Sequence, residues 1–418
     1  MPRPKSPISG FRSRIPNPHH PISISLYVHV PFCIEAKCSY CDFYSVPVAH
    51  NNGPIEPRIE RFIDMLLLDA GEQLQSFKPD QVPTLYIGGG TPSVLGAAGI
   101  KRLLCGLLDL ISRYSPLPPG EVSVEANPES ASEAFLAAAR EGGANRLYLG
   151  IQTFSGPSRE AVGRAGEEKL LHRALALAAR YFPGVFSADL ISGLPLQTLQ
   201  IARDDIAALL SHKPAHVSYY ALTIEKGTPL AELIANAETT VPEGEEADNL
   251  WISGRDALAE AGYCQYEVSN FCLQGKESRH NLRYWLMQNW LGLGPSASGT
   301  VIDEGSGTAR RFTNVSDLDL WLDRGAGAAP PGSLENLDAS TLMKETLLMG
   351  FRLAKGPDAQ LFKHRFGKSV EESIPLTIGE WRSKGFLQND IAALNEDGLL
   401  FLNRFLADAF DELVDVGA

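Results

Sequence analysis

Between residues 25 and 222 the chain alternates six short apolar runs with five longer amphipathic segments, joined by polar turns. The apolar runs fall at 25–30, 84–87, 121–126, 146–151, 185–191 and 216–222. Short runs of this kind read as buried strands. The segments at 57–77, 100–112, 131–141, 167–181 and 198–210 read as helices; Phe62, Met65, Leu66 and Leu68 give the first of them an apolar side. Strands that alternate with helices must pair in parallel, because each crossover returns the chain to the same end of the sheet. The fold class is therefore α/β. Polar residues recur at the C-terminal ends of the runs, where barrel-type α/β folds place their chemistry.

The first run leads directly into Cys33, Cys38 and Cys41, three of the six cysteines in the chain. Thiols grouped so closely are usually metal ligands. Three on a four-iron cluster would leave one iron free to bind a small molecule. Zinc would need a fourth ligand, and His29 or Asp42 could supply it only by a strained reach. The spacing C-x4-C-x2-C also occurs in two-iron plant-type ferredoxins, which would require Cys105, Cys264 or Cys272 as the fourth ligand. Three unrelated cysteines are the remaining alternative.

Other strand ends carry candidate residues. Gly88, Gly89 and Gly90 follow the second strand, before Thr91. Glycines there let a backbone approach a ligand closely and expose N–H groups. A tight βα turn is the bland alternative. Glu125, Gln152, Arg164 and Asp189 lie at or near later strand ends. A carboxylate accepts from ribose hydroxyls, an amide reads another hydroxyl, and an arginine forks onto a carboxylate. Taken singly, each could equally be a loop anchor.

The net charge of −13 argues against a general nucleic-acid binder. Nothing approaches the roughly 18 consecutive apolar residues of a transmembrane helix. Residues 1–24 are rich in proline and basic residues and lack an apolar signal core, so they read as a disordered tail. Six cysteines, irregularly spaced outside the cluster, fit a reducing compartment, hence the cytoplasm. A polar, acidic stretch at 238–248 suggests a boundary between a core unit, 25–240, and a second unit, 241–418.

In the second unit, His280 and Trp285 lie in a short aromatic-rich segment, preceded by Tyr266 and Glu267. A neutral histidine can ligate iron, and aromatic faces stack on a macrocycle. A hydrogen-bonded interior histidine is the alternative. Cys264 and Cys272 flank this region and read as core cysteines, with haem or redox involvement as the alternative. From residue 336 onward the pattern is helical (341–353, 376–384 and 402–413), with Phe386-Leu387 and Leu399-Leu400-Phe401 reading as two short strands.

The stretch Tyr27-x-His29-x-Pro31-Phe32-Cys33 running into the cysteine cluster resembles the opening of radical S-adenosylmethionine (SAM) enzymes of the coproporphyrinogen dehydrogenase group. That group has C-x3-C-x2-C, so this chain carries one extra residue among Ile34, Glu35, Ala36 and Lys37. The resemblance implies a partial (β/α)6 barrel followed by a smaller α+β domain with a winged-helix-like end. It implies a [4Fe-4S] cluster on Cys33, Cys38 and Cys41, and SAM contacts from Tyr27, Tyr40, Gly89, Gly90, Thr91, Glu125, Gln152, Arg164 and Asp189. Gly166 stands where the group often has histidine.

Tyr266-Glu267-x-Ser269-Asn270, followed by Arg279-His280-Asn281-Leu282-x-Tyr284-Trp285, is similar to HemW, the haem-chaperone branch of the group. On that likeness His280 is the candidate haem ligand. The segment Gly292 to Ser298 resembles the next motif, with Ser298 where histidine is usual. The branch implies haem-requiring acceptor proteins as partners, peripheral membrane contact through an acceptor, and a flavodoxin- or ferredoxin-like electron donor if SAM is cleaved. The competing expectation is an oxygen-independent coproporphyrinogen III dehydrogenase, a decarboxylating enzyme. Those enzymes carry a further cysteine two residues after the third; this chain has Cys41-Asp42-Phe43.

Overall fold

The computed structural model of the chain describes residues 22–34, 37–48, 56–164, 166–324 and 332–415. All six expected strands are present: β1 (Ser25–Val30), β4 (Thr84–Gly89), β5 (Glu121–Ala126), β6 (Arg146–Gln152), β7 (Phe186–Ser192) and β8 (His216–Ala221). A short pair, β2 (Phe32–Ile34) and β3 (Val46–Val48), brackets the cysteine loop. Six further strands follow: β9 (Cys264–Glu267), β10 (Asn270–Cys272), β11 (Trp290–Leu293), β12 (Ser298–Asp303), β13 (Thr308–Asn314) and β14 (Gly332–Leu337).

Twelve of these strands form one open sheet in the order β14-β13-β12-β11-β1-β4-β5-β6-β7-β8-β10-β9. The stretch from β11 through β8 is parallel, and both flanks are antiparallel. All the C-terminal ends of the parallel strands therefore lie at one pole, and all their N-terminal ends at the other. The helices α1 (Pro57–Phe77), α2 (Gly96–Ser112), α3 (Glu133–Glu141), α4 (Gly156–Ala161), α5 (Glu168–Tyr181) and α6 (Leu199–Leu210) come between the strands.

The sequence accounts for much of this locally. Helix α1 starts on Pro57, which lacks an N–H where none is needed. It buries Ile59, Phe62, Ile63, Leu66, Ala70 and Leu74 in the main core, while Leu68 remains 37% exposed. The side chains of Ser132 and Thr198 cap α3 and α6 by accepting from Phe135 N and Ile201 N.

Four further helices complete the body among the described residues: α7 (Pro229–Ala235), α8 (Glu245–Glu260), α9 (Arg279–Trp285) and α10 (Leu318–Leu322). The boundary expected at residue 241 marks no break in the sheet, which continues to Leu337. A separate core begins later, where Leu347, Phe351, Phe362, Trp381 and Phe405 pack together from the C-terminal helices. Of the expected tail, residues 1–21 lie outside the described residues; 22–24 are fixed to the body, with Ile24 N donating to Gln81 O at 3.0 Å.

The two-strand reading near the C-terminus needs correction. Leu387 bridges to Leu394, and Leu399-Leu400 closes a helix, Glu396–Leu400. The reason is a cap: the Asn395 side chain accepts from Gly398 N, starting a helical turn where an apolar triplet alone reads as a strand.

Candidate functional site

The cysteine loop sits at the pole formed by the strand C-termini. Cys33 lies on β2; Cys38 and Cys41 form a turn in which Cys41 N donates to Cys38 O at 3.1 Å. Two distant elements pin the loop. Ser39 N donates to Val162 O at 3.0 Å, just after α4, and Leu230 N at the start of α7 donates to Ser39 O at 2.9 Å. Glu35 and Ala36, within the longer first spacing, lie outside the described residues.

Side chains carry a continuous set of contacts around this pole. The Thr91 hydroxyl approaches Cys33 Sγ at 3.7 Å and accepts from Asn127 Nδ2 at 3.2 Å. Asn127 Oδ1 accepts from Arg164 Nη2 at 3.2 Å, and Arg164 Nη1 donates to Cys38 Sγ at 3.5 Å. Tyr40 packs beside Cys38 and Arg164, and burial above all holds its phenol protonated. Burial also pushes the Cys41 thiol up to about 11, with Cys38 and Cys33 adding to the effect. The three thiols are thus near enough to feel one another.

They form an all-sulfur donor set, which suits an iron–sulfur cluster. Among the described residues, no three His, Cys, Asp or Glu side chains are placed to grip a single metal ion. His29 is already committed: Nε2 donates to Tyr44 O at 2.8 Å, and Nδ1 accepts from the Tyr27 hydroxyl at 3.1 Å. The ferredoxin reading fails. Cys105 lies exposed on α2, while Cys272 pairs with His216 at the N-terminal end of β8, the opposite pole.

The glycine turn differs from expectation in one respect. Its N–H groups are spent within the protein: Gly89 N donates to Glu125 Oε2 at 3.2 Å, Gly90 N to Val30 O at 2.8 Å, and Thr91 N to Phe32 O at 2.7 Å. The glycines serve close approach instead. A Cβ on Gly90 would lie 2.5 Å from Phe32 O, and Gly89 adopts φ +111° with His29 where its Cβ would be. The turn thus locks β4 to the segment leading into Cys33.

Glu125 and Asp189 are the acidic groups of the pole. Glu125 Oε1 accepts from the Tyr86 hydroxyl at 2.6 Å, and its pKa rises to about 7, chiefly through burial and further through Asp189. Burial likewise lifts Asp189 to about 6. Asp189 Oδ1 and Arg164 Nε are both buried without a hydrogen-bond partner, which is costly unless a ligand meets them. Gln152 has φ +69° at an irregularity between β6 and β7 and lies across from Leu190, next to Asp189. A bulge of this kind re-aims a side chain at a strand end.

Asn127 and Tyr86 were missed from sequence. The signal for the first was Glu125-Ala126-Asn127-Pro128, a polar strand end closed by proline. Nothing local marks Tyr86, whose partner is a whole strand away.

His280, the candidate haem ligand, lies elsewhere, with both ring nitrogens engaged within the protein. Helix α9 fills the pole of the strand N-termini. Thr84, the first residue of β4, donates to Ser25 Oγ at 2.8 Å and so accepts from His280 Nδ1, 2.7 Å away. His280 Nε2 then accepts from the Tyr284 hydroxyl at 2.9 Å. The ring is 1% exposed and stacks on Tyr86 at 4.9 Å. Burial, then Arg283, lowers its pKa to about 3. Neither nitrogen is free for iron in this arrangement.

Truncating the ring should therefore act on stability. His280→Ala is expected to cost about 3 kcal/mol, from the cavity and two stranded hydroxyls. Chemical denaturation and haem titration of the folded variant check this: a weakened fold with unchanged haem affinity is expected, and a selective loss of haem affinity would reinstate His280 as a ligand. Ser298, also flagged by resemblance, pairs with the Thr313 hydroxyl at 2.7 Å.

Comparison with known proteins agrees with this geometry. The Radical SAM superfamily model matches residues 27–209, and the HemN C-terminal domain matches 337–402. The heme chaperone HemW of Lactococcus lactis is 31% identical over 369 residues, covering 88% of this chain and 91% of the relative. HemW of Mycobacterium tuberculosis is 35% identical over 348 residues, covering 82% and 84%. The radical S-adenosyl methionine domain-containing protein 1, mitochondrial, of Bos taurus is 33% identical over 409 residues, covering 96% and 86%. Among solved structures, the Escherichia coli coproporphyrinogen III oxidase HemN, a radical SAM enzyme, superposes with a TM-score of 0.74 at 19% identity, covering 94% of this chain and 90% of that one. That last likeness is one of fold. The chain belongs to the radical SAM superfamily, in the HemW family, and it carries a HemN-type C-terminal domain.

Proposed function

We propose that this chain is a haem chaperone that holds a [4Fe-4S] cluster on Cys33, Cys38 and Cys41, binds SAM across the strand C-termini, and passes haem to haem-requiring acceptors. The observation that carries the cofactor part is the run of contacts from Cys33 through Thr91, Asn127 and Arg164 to Cys38, beside an unsatisfied Asp189 oxygen. The chaperone part is supported by relatives named heme chaperone HemW at about a third identity over most of the chain.

The cluster supplies one-electron chemistry when present; the protein's own residues hold and orient. With its N–H groups spent, the glycine turn offers only carbonyl oxygens, which suit an ammonium group. Glu125 keeps lone pairs for ribose hydroxyls beside those taken by Tyr86 and Gly89. Arg164 Nε suits a carboxylate. Tyr27, Tyr40, Gln152 and Asp189 complete the proposed contacts, on a curved, partial (β/α)6 arrangement. Haem docking does not use His280 in this reading. Among the described residues no helix is long and apolar enough to cross a membrane. Membrane acceptors would be met from the surface; cytoplasmic residence and a flavodoxin- or ferredoxin-like donor belong to the same proposal.

Two measurements test the reading. The first is anaerobic incubation of the reconstituted protein with SAM, a reductant and coproporphyrinogen III, followed by mass spectrometry, with haem transfer to an apo-acceptor in parallel. Haem transfer without decarboxylated product is expected; decarboxylated product dependent on SAM would make the chain a dehydrogenase. The second is the pH dependence of SAM affinity by calorimetry. A carboxylate accepts from hydroxyls at both oxygens and more strongly than a protonated acid does, so affinity should fall as pH drops below the Glu125 pKa of about 7. The slope approaches about tenfold per pH unit. Glu125→Gln should bind more weakly and flatten the profile; an unchanged profile would remove Glu125 from the site.

A further inference from the structure

Cys264 and Cys272 take no part in the site above, yet the sheet sets them opposite each other. Cys264 opens β9, Cys272 closes β10, and the two are direct partners in the antiparallel register. Directly opposed residues have Cα atoms about 4.5–5.5 Å apart and side chains on the same face. That lies within the span of about 4.4–6.8 Å that a disulfide bridges. The two thiols differ in access: Cys264 is exposed, whereas Cys272 is 1% exposed against β8. Strand β9 is the last of the sheet; among the described residues its outer edge is held by 352–354 only around Tyr266–Val268, away from Cys264, and its ladder with β10 has a register shift at Asn270/Phe271.

We propose that Cys264 and Cys272 are a dithiol modification site that closes to a cross-strand disulfide on reaction with a small disulfide oxidant of the glutathione type. The exposed Cys264 thiolate attacks one sulfur of the oxidant, whose S–S bond breaks and releases one thiolate. Cys272 then gives up its proton to solvent and attacks Cys264 Sγ in the mixed disulfide, releasing the second small thiol. The protein loses two electrons and two protons, and the oxidant is reduced to two thiols. Cys272 does not attack first, because burial, with Glu277 next, pushes its thiol up to about 12. Proximity to Cys264 offsets that weakness in the second step.

The bridge would lock the base of a hairpin that joins the sheet to the C-terminal core. Ala354 N donates to Tyr266 O at 3.0 Å, Val268 N donates to Arg352 O at 3.1 Å, and Glu267 bridges to Leu353. Oxidation of this pair would thus stiffen the joint between the two cores without touching the cysteine loop at the other pole.

The test uses full-length, cluster-loaded protein under anaerobic conditions. It is incubated with glutathione disulfide, alkylated after denaturation and mapped by mass spectrometry. A peptide pair linked through Cys264 and Cys272, lighter by two hydrogens and absent after reduction, is expected. In Cys272→Ser, Cys264 should remain as a stable glutathione adduct. In Cys264→Ser, Cys272 should be recovered fully alkylated. Recovery of both cysteines alkylated in the wild type, while exposed Cys105 carries glutathione, would overturn the proposal. So would glutathione on Cys272 in Cys264→Ser, or a bridge from Cys264 to any other cysteine.

Discussion

Cys38→Ala is expected to abolish the four-iron chromophore and leave the fold intact. Of the six cysteines, only Cys33, Cys38 and Cys41 lie at the strand C-termini, and no other thiol is within reach as a substitute. Three thiolates are the fewest that can hold a cluster while leaving one iron open, so two should not retain it. Cys38 is also the sulfur that Arg164 contacts, and Arg164 is tied to Asn127 and through it to Thr91. Its loss should disturb the proposed SAM site as well as the proposed cluster. Anaerobic reconstitution followed by iron analysis and absorption spectroscopy decides the matter, with Cys264→Ser as a comparison that should load fully. Full iron content in Cys38→Ala would mean that a different residue supplies the third ligand.

Glu121→Ala is expected to cost about 3–5 kcal/mol of folding stability, the range for breaking a buried ion pair from one side. Glu121 is 4% exposed. Its carboxylate accepts from the backbone N–H groups of Arg279 at 3.0 Å and His280 at 3.1 Å, the first turn of α9. It also accepts from the Ser123 hydroxyl at 3.2 Å and lies 3.5 Å from Arg146. Arg146 in turn donates to Lys276 O and Glu277 O, each at 2.9 Å, just before that helix. Removing the carboxylate takes the counter-charge from a buried guanidinium and strands two N–H groups in the first turn of α9, which keeps only its Ser278 cap, and so loosens the segment that carries His280. Urea unfolding of the two proteins without cofactors measures the difference. A loss below about 1 kcal/mol would show that α9 is held by packing and not by this charge pair.

The sequence was most readable where structure is local. Six strands and their helices stood out because apolar period and turn residues act over a few positions. That Glu125, Gln152 and Asp189 share a pole was legible because a parallel sheet gathers its strand ends there; Arg164, beyond α4, came from the resemblance. The glycine turn was placed correctly but its chemistry was not: whether an N–H faces a ligand or Val30 O depends on a strand more than fifty residues away. His280 shows the same limit more sharply. Its neighbours Thr84, Tyr86 and Glu121 lie in the first third of the chain, so no reading of the surrounding motif reveals that both nitrogens are spent. The extension of the sheet by β9–β14 was missed too, because β9–β11 are short, β12–β14 carry many polar residues, and all pair with partners chosen by topology.

The place of β1 in the sheet bears on how the molecule is made. One side of β1 pairs with β4, but the other pairs with β11, which begins at Trp290. On the ribosome, the first strand emerges early and then waits for its second neighbour while more than 250 further residues are translated. During that interval it is an open edge, and open edges recruit wrong partners. The cysteine loop hangs from this strand, so its anchorage matures only late in synthesis. Iron and sulfide for the proposed cluster, delivered to the nascent chain, would meet an unfinished cradle, so loading is expected only after β11 has docked.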